Sequence, residues 1–117
     1  MRHVVEKQDV LKPLTEPVML ILVSLAEKPR HGYALMKDIE MLSDGRVRLS
    51  TGTLYGALRR LLEDRWIERF EQEDTSREKQ AYRLTSAGHV QVERELARLK
   101  HLMRVASARL RTKEASI

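Results

Sequence analysis

The residues best suited to binding chemistry lie between Leu49 and Ile67, in the stretch LSTGTLYGALRRLLEDRWI. At the helical spacing of about 100° per residue, one face carries Leu54, Leu58 and Leu61. The opposite face carries Gly52, Gly56, Arg59, Arg60 and Glu63. A glycine inside a helix costs roughly 0.5–1 kcal/mol relative to alanine, so two of them on an exposed face indicate that a partner approaches the backbone closely. A helix face that lacks bulky side chains and is flanked by arginines is suited to entering the major groove of DNA.

Hydroxyl groups and further cations surround this face. Hydroxyls and free N–H groups in the first turn of a helix can hold phosphate oxygens, and arginine can bond to guanine edges or to phosphates. The competing interpretations are helix capping for the hydroxyls and solvated surface charge for the arginines. The candidate DNA contacts on and before this helix are Arg48, Ser50, Thr51, Gly52, Thr53, Tyr55, Gly56, Arg59 and Arg60.

Short helices with tight connections must position this stretch. Capping residues, apolar periodicity and the breakers Pro29 and Gly45 mark their ends. Three helices within so short a segment predict a helix-turn-helix unit. The predicted helices are one capped by Thr15 and ended by Lys28-Pro29, one from Gly32 to Leu42, and one capped by Ser50 or Thr51 and ending near Asp64.

Beyond the third helix the pattern changes to alternation, which is typical of strands. Residues 66–72 alternate, residues 80–84 can pair with them, and the polar run 73–79 between them predicts a hairpin with an exposed tip, the wing of a winged helix. In this tip Arg77 and Lys79 are candidates for contact with the DNA backbone or minor groove. Thr85 or Ser86 then caps a last helix, which is predicted to continue to about Arg111 before a frayed tail over 112–117.

The last helix carries an apolar seam whose members are spaced 4, 3, 4, 3 and 4 residues apart. The seam lasts under three heptads and needs a cover, for which a second copy of the chain is the expected candidate. The apolar residues of the N-terminal segment either pack on the same chain or reach across this homodimer. The predicted dimerisation residues are Val92, Leu96, Leu99, Met103, Ala106 and Leu110.

Composition excludes several functions. The 117 residues suffice for one compact domain, and the net charge of +5 favours a polyanionic partner. The absence of cysteine excludes disulfides, thiolate zinc sites and cysteine nucleophiles, and the four histidines lack metal spacing. With no phosphate loop, nucleophile elbow or acid–base pair, we expect neither an enzyme nor a cofactor. The apolar run 17–26 is too short to span a membrane and lacks signal-peptide flanks, so we expect a cytoplasmic protein.

Three motifs in order resemble the PadR family of bacterial winged helix-turn-helix transcription regulators, over about residues 15–110. The length and the single C-terminal helix resemble the short subfamily. The motifs are His31-Gly32-Tyr33 at the second helix, Ser50-Thr51-Gly52-Thr53-Leu54-Tyr55 at the third, and Tyr82-Arg83-Leu84-Thr85 followed by Gly88 and His89.

The resemblance implies a mainly α fold with a small β-hairpin. Residues 1–84 would form an N-terminal segment and the winged helix-turn-helix DNA-binding domain, and residues 85–117 the dimerisation helix and tail. It implies a homodimeric regulator, usually a repressor, that binds an inverted-repeat operator in double-stranded DNA. A small-molecule effector is left open, as is the alternative of a protein–protein interaction adaptor without specific DNA binding, against which the exposed glycines and arginines argue.

Three departures from the family pattern limit what the resemblance implies. Ala81-Tyr82 stands where an aromatic pair is common, so the strand loses one ring. Gly56 stands where members often have proline, so the operator sequence of relatives is not carried over. Leu99 stands where multidrug-binding relatives have tryptophan, and no aromatic residue follows Tyr82, so a flat drug held between paired tryptophans is not expected.

Overall fold

The computed structural model describes residues 13–70 and 80–116, with side chains described as far as Thr112. Helices dominate this part of the chain and a small sheet completes it, as the sequence predicts. The elements in chain order are α1 (Glu16–Glu27), β1 (Arg30–His31), α2 (Gly32–Leu42), α3 (Thr51–Glu63), β2 (Ile67–Phe70), β3 (Ala81–Leu84) and α4 (Ser86–Ser116).

Side-chain caps fix where the helices begin. The Thr15 hydroxyl accepts a hydrogen bond from the Val18 N–H at 3.3 Å, as predicted for α1. Of the two candidates at α3, Ser50 is the cap, because its hydroxyl accepts from the Thr53 N–H at 3.1 Å. Thr85 fulfils the same role at α4, accepting from the Gly88 N–H at 3.0 Å. Each cap satisfies one of the N–H groups that a helix start leaves without a partner.

The sheet is antiparallel with the order β1-β3-β2. The predicted hairpin is present, with Ile67 opposite Leu84 and Phe70 opposite Ala81, while its tip lies outside the described residues. The sequence did not predict β1, which pairs Arg30 with Tyr82. A two-residue strand is too short to show alternation, and it exists only because β3 offers it a free edge.

One apolar core joins the three short helices, the sheet and the first turns of α4. The leucine face predicted for α3 is confirmed, since Leu54, Leu58 and Leu61 are at most 3% exposed. Full burial of such a side chain contributes roughly 1.5–3 kcal/mol, so this face fixes α3 and leaves its opposite side outward. The core consists of Ile21, Leu22, Leu25, Leu35, Ile39, Leu54, Ala57, Leu58, Leu61, Ile67, Tyr82 and Val92.

Helix α4 is longer than the sequence analysis predicts. It runs to Ser116, so the prediction of an end near Arg111 with a frayed tail over 112–117 is wrong for the residues through 116. The reason is that this tail contains no glycine or proline to end the helix, and its Lys113, Glu114 and Ala115 have high helix propensity. Its 31 residues correspond to about 46 Å of helix.

Candidate nucleic-acid interface

The outward face of α3 is open at both glycines. A Cβ atom built on Gly52 or Gly56 would meet no atom of the described residues within 4 Å. The backbone of α3 is therefore accessible from this side, as the glycine spacing predicts. No packing among the described residues accounts for the two glycines, and the uncovered backbone leaves room for a partner to approach it.

Two arginines border the open face. Arg59 and Arg60 are exposed, and no ion pair within residues 13–70 and 80–112 engages either of them. The guanidinium of Arg48 differs, since it lies 3.2 Å from the Glu40 carboxylate in an exposed pair. Such surface pairs contribute about 0–1 kcal/mol, so Arg48 can exchange its carboxylate for a phosphate at little cost.

The three hydroxyl groups at the start of α3 differ in their hydrogen bonds. Ser50 caps the helix and also donates to the Thr53 hydroxyl at 3.0 Å. Thr51 is exposed and does not cap, so the capping interpretation applies to its neighbour. The first N–H groups of α3 and the positive end of its dipole lie beside these hydroxyls, which is a suitable arrangement for a phosphate oxygen.

Tyr55 connects two of the sequence motifs. It is 40% exposed, and its hydroxyl lies so close to Gly32 that a Cβ there would overlap it. The glycine of His31-Gly32-Tyr33 thus lets the Tyr55 hydroxyl approach α2 closely, a contact that the sequence did not predict. Burial, with a further contribution from Tyr55, raises the pKa of Tyr82 above its ordinary value, so this core phenol stays neutral.

A partly buried polar cluster holds α1, β1 and α2 together. The Ser24 hydroxyl donates to the Asp38 carboxylate at 2.6 Å, and the Arg30 Nε donates to the Ser24 carbonyl at 3.2 Å. Arg30 also pairs with Asp38 at 3.4 Å and with Glu27. The sequence did not predict this cluster, because its pairing depends on how α1, β1 and α2 pack together.

The wing is described only at its base. There Arg83 donates to the Glu68 carboxylate at 2.7 Å, and its guanidinium carbon lies 4.9 Å from the centre of the Phe70 ring. The candidate contacts Arg77 and Lys79 lie outside the described residues and stay predictions.

The seam predicted on α4 divides into two parts. Val92 is 8% exposed and packs in the core of its own chain. Leu96, Leu99, Met103, Ala106 and Leu110 are exposed, the large ones between 40% and 66%. The sequence analysis missed Leu102 and Val105, which are also exposed and extend what we call the apolar stripe. The stripe therefore consists of Leu96, Leu99, Leu102, Met103, Val105, Ala106 and Leu110.

A buried carboxylate marks the point where α4 leaves the core. Glu95 is 6% exposed, and Arg98 donates to its two oxygens at 3.1 and 2.6 Å. These hydrogen bonds hold the pKa of Glu95 below its ordinary value against the opposing effect of burial, with a further contribution from the Leu14 backbone N–H. The carboxylate thus attaches the chain segment before α1 to α4.

Within residues 13–70 and 80–116, no group of three or more metal-binding side chains is present. None of the helices in the same ranges combines the length and the apolar composition that a membrane crossing needs.

Comparison with known proteins provides the functional context. Residues 21–94 match the family described as transcriptional regulator PadR-like. Among solved structures, the chain is similar to a transcriptional regulator from Clostridium thermocellum, with a TM-score of 0.66 and 26% identity over 78% of this chain and 89% of that one. It is also similar to a PadR family transcription regulator from hypervirulent Clostridium difficile, with a TM-score of 0.68 and 23% identity over 82% and 99% of the two chains.

A curated relative is similar over part of its length. An uncharacterized 37.1 kDa protein of a transposon from Streptomyces fradiae is 42% identical over 77 residues, which are 66% of this chain and 21% of that protein. The chain thus matches about one fifth of the length of this relative.

Proposed function

We propose, from the premise that this chain belongs to the transcriptional regulator PadR-like family, that it is a homodimeric repressor that binds an inverted-repeat operator in double-stranded DNA. The family match confirms the resemblance inferred from the three motifs. It also identifies the chain as a DNA-binding transcriptional regulator rather than an enzyme. The observation that carries the proposal is the open face of α3, where Gly52 and Gly56 are uncovered beside Arg59 and Arg60.

The geometry of this face supports the following roles for its residues. The start of α3, with Ser50, Thr51 and Thr53, would hold a backbone phosphate, because hydroxyls and free N–H groups converge there. Arg59 would bond to a base edge, since it projects from the open face without a carboxylate partner among the described residues. Tyr55, Arg48 and Arg60 would contact phosphates, and Arg77 and Lys79 the flanking backbone.

The apolar stripe supports the homodimer. Contiguous exposed apolar side chains are rare on monomers and mark association surfaces, and homo-oligomers are most often two-fold dimers. A two-fold dimer would present two α3 helices to half-sites about 34–36 Å apart, which is one turn of DNA. We therefore assign residues 85–117 to dimerisation and residues 1–84 to the DNA-binding part, with Val92 serving the core of its own chain.

We propose repression, because a dimer bound across a promoter blocks access to it, and a bacterial, cytoplasmic location, where the operator would be. A small-molecule effector would act by changing the dimer rather than by filling a tryptophan sandwich, because α4 has no aromatic residue.

The experiment is a mobility-shift titration with the gene's own upstream DNA against a random duplex of equal length. We expect binding that prefers the upstream DNA and a slope of log K against log salt near about −5 if about six phosphates are neutralised. Arg59→Ala should weaken specific binding by about 1–3 kcal/mol, whereas Arg94→Ala on exposed α4 should leave it unchanged.

Sedimentation at micromolar concentration completes the test by reporting the oligomeric state. A lone protomer would contradict the dimer. Equal affinity for both duplexes would contradict operator recognition and favour the interaction-adaptor alternative.

A further inference from the structure

We infer that Thr85 and Gly88 set the angle at which α4 leaves the winged helix, and that they thereby determine which spacing of operator half-sites the dimer accepts. The inference rests on the proposed function, because it requires two α3 helices presented by one dimer. Neither residue lies on the open face of α3 or in the apolar stripe, so both act as positioning residues.

Two backbone hydrogen bonds cap the C-terminal end of α3. The Trp66 N–H donates to the Leu61 carbonyl and the Arg65 N–H to the Leu62 carbonyl, each at 3.1 Å. Arg65 adopts the left-handed conformation with φ of 64°. This is the Schellman arrangement, and it fixes the direction in which the carbonyls of Arg65 and Trp66 point.

The start of α4 is bonded to these same two carbonyls. The Thr85 hydroxyl donates to the Arg65 carbonyl at 2.7 Å, and the Thr85 N–H donates to the Trp66 carbonyl at 3.1 Å. The same hydroxyl accepts from the Gly88 N–H at 3.0 Å as the cap of α4. The Thr85 side chain therefore bonds the C-terminal cap of α3 to the first turn of α4.

Gly88 allows the close approach that these bonds require. A Cβ there would overlap the Trp66 carbonyl oxygen and lie 2.8 Å from the Leu84 Cδ1 atom. A backbone carbonyl cannot rotate aside as a side chain does, so any larger residue must tilt or displace α4. Gly88 is buried, in contrast to Gly52, which is exposed on the open face of α3.

The length of α4 amplifies any change at this junction. A tilt of about 5° would move the distal end of the apolar stripe, about 36 Å from the junction, by about 3 Å, which is close to the rise of about 3.4 Å between base pairs. Because the apolar stripe lies beyond Glu95, away from the junction, the tilt would be converted into a different separation of the two α3 helices.

The test uses the full-length protein and DNA of defined spacing. The half-site is first selected by the wild type from a pool of random duplexes of about 40 base pairs, and is then placed as inverted pairs whose separation increases in single-base-pair steps. Affinities across this series are measured for the wild type, Thr85→Val, Thr85→Ser and Gly88→Ala. Thr112→Val, which removes a hydroxyl bonded to the Ala108 carbonyl on the same helix, is the control.

The wild type should prefer one spacing by about tenfold over its neighbours. Thr85→Val and Gly88→Ala should shift that optimum by a base pair or reduce the preference to about threefold or less, whereas Thr85→Ser and Thr112→Val should retain it. Trp66, the single tryptophan, lies at the junction, so its fluorescence reports whether each variant is folded there.

A uniform loss of affinity at every spacing in both Thr85→Val and Gly88→Ala would show that the junction is merely structural and would overturn the inference. A wild type that binds specifically but without any spacing preference would overturn it as well. A wild type that selects no duplex from the pool would instead overturn the proposed function, and the inference with it.

Discussion

Substitutions at Gly56 should separate stability from DNA binding, because they change these two properties in opposite directions. Gly56 lies in the interior of α3, and an added Cβ meets no described atom within 4 Å. Gly56→Ala should therefore raise the free energy of unfolding by about 0.5–1 kcal/mol through helix propensity alone. For a chain of this size, that corresponds to a rise in Tm of about 2–6 °C.

DNA binding should respond in the opposite sense. A leucine at position 56 would occupy the space through which the groove edge reaches the α3 backbone, so Gly56→Leu should weaken operator binding by about tenfold or more while leaving the fold intact. Thermal unfolding by circular dichroism and a mobility-shift titration measure the two effects on the same sample.

Ala97→Leu provides the matched control, because Ala97 is exposed on α4 outside the apolar stripe. It should leave operator affinity unchanged. The reasoning would be refuted by a Gly56→Leu variant that binds the operator as tightly as the wild type, or by a Gly56→Ala variant that is less stable than the wild type.

Two further predictions concern stability. Arg65 has a left-handed backbone conformation with φ of 64°, where glycine is favoured. Arg65→Gly should therefore raise the free energy of unfolding, measured in urea, by about 1 kcal/mol. A destabilised variant would show that the arginine side chain contributes more than the backbone strain costs. The pKa of Glu95 is lowered in the folded chain, so its ionised carboxylate stabilises the fold. This stabilisation is complete above the pKa of the unfolded chain, about 4.3, and is lost as the pH falls through the lower pKa of the folded chain. Unfolding measured from pH 7 to pH 3 should therefore show the gap between wild type and Glu95→Gln narrowing at low pH, and a constant gap would contradict this linkage.

The sequence was most informative where local physics decides the structure. Thr15 and Ser50 marked helix starts because capping depends on neighbouring residues alone. The leucines of α3 predicted its inward face, and the glycines predicted an uncovered outward face, because helical periodicity assigns both. These features required no knowledge of how distant parts of the chain meet.

Features that depend on distant contacts were missed. The close approach of Tyr55 to Gly32, and of the Trp66 carbonyl to Gly88, arises only after the helices have packed. β1 has no pattern of its own and forms because β3 is adjacent. The motif glycines were visible in the sequence, but which atoms they accommodate depends on tertiary structure.

The exposed distal part of α4 has a consequence for how the protein responds to its own abundance. Beyond Glu95 every described side chain of this helix is exposed or only partly covered, so no core of its own chain supports it. An isolated helix is only marginally stable in water, and association with a second protomer would supply the missing burial. Folding of this segment and pairing of protomers would then be one equilibrium, so dilution would both dissociate and unwind it, and occupancy of a target gene would rise more steeply than in proportion to copy number.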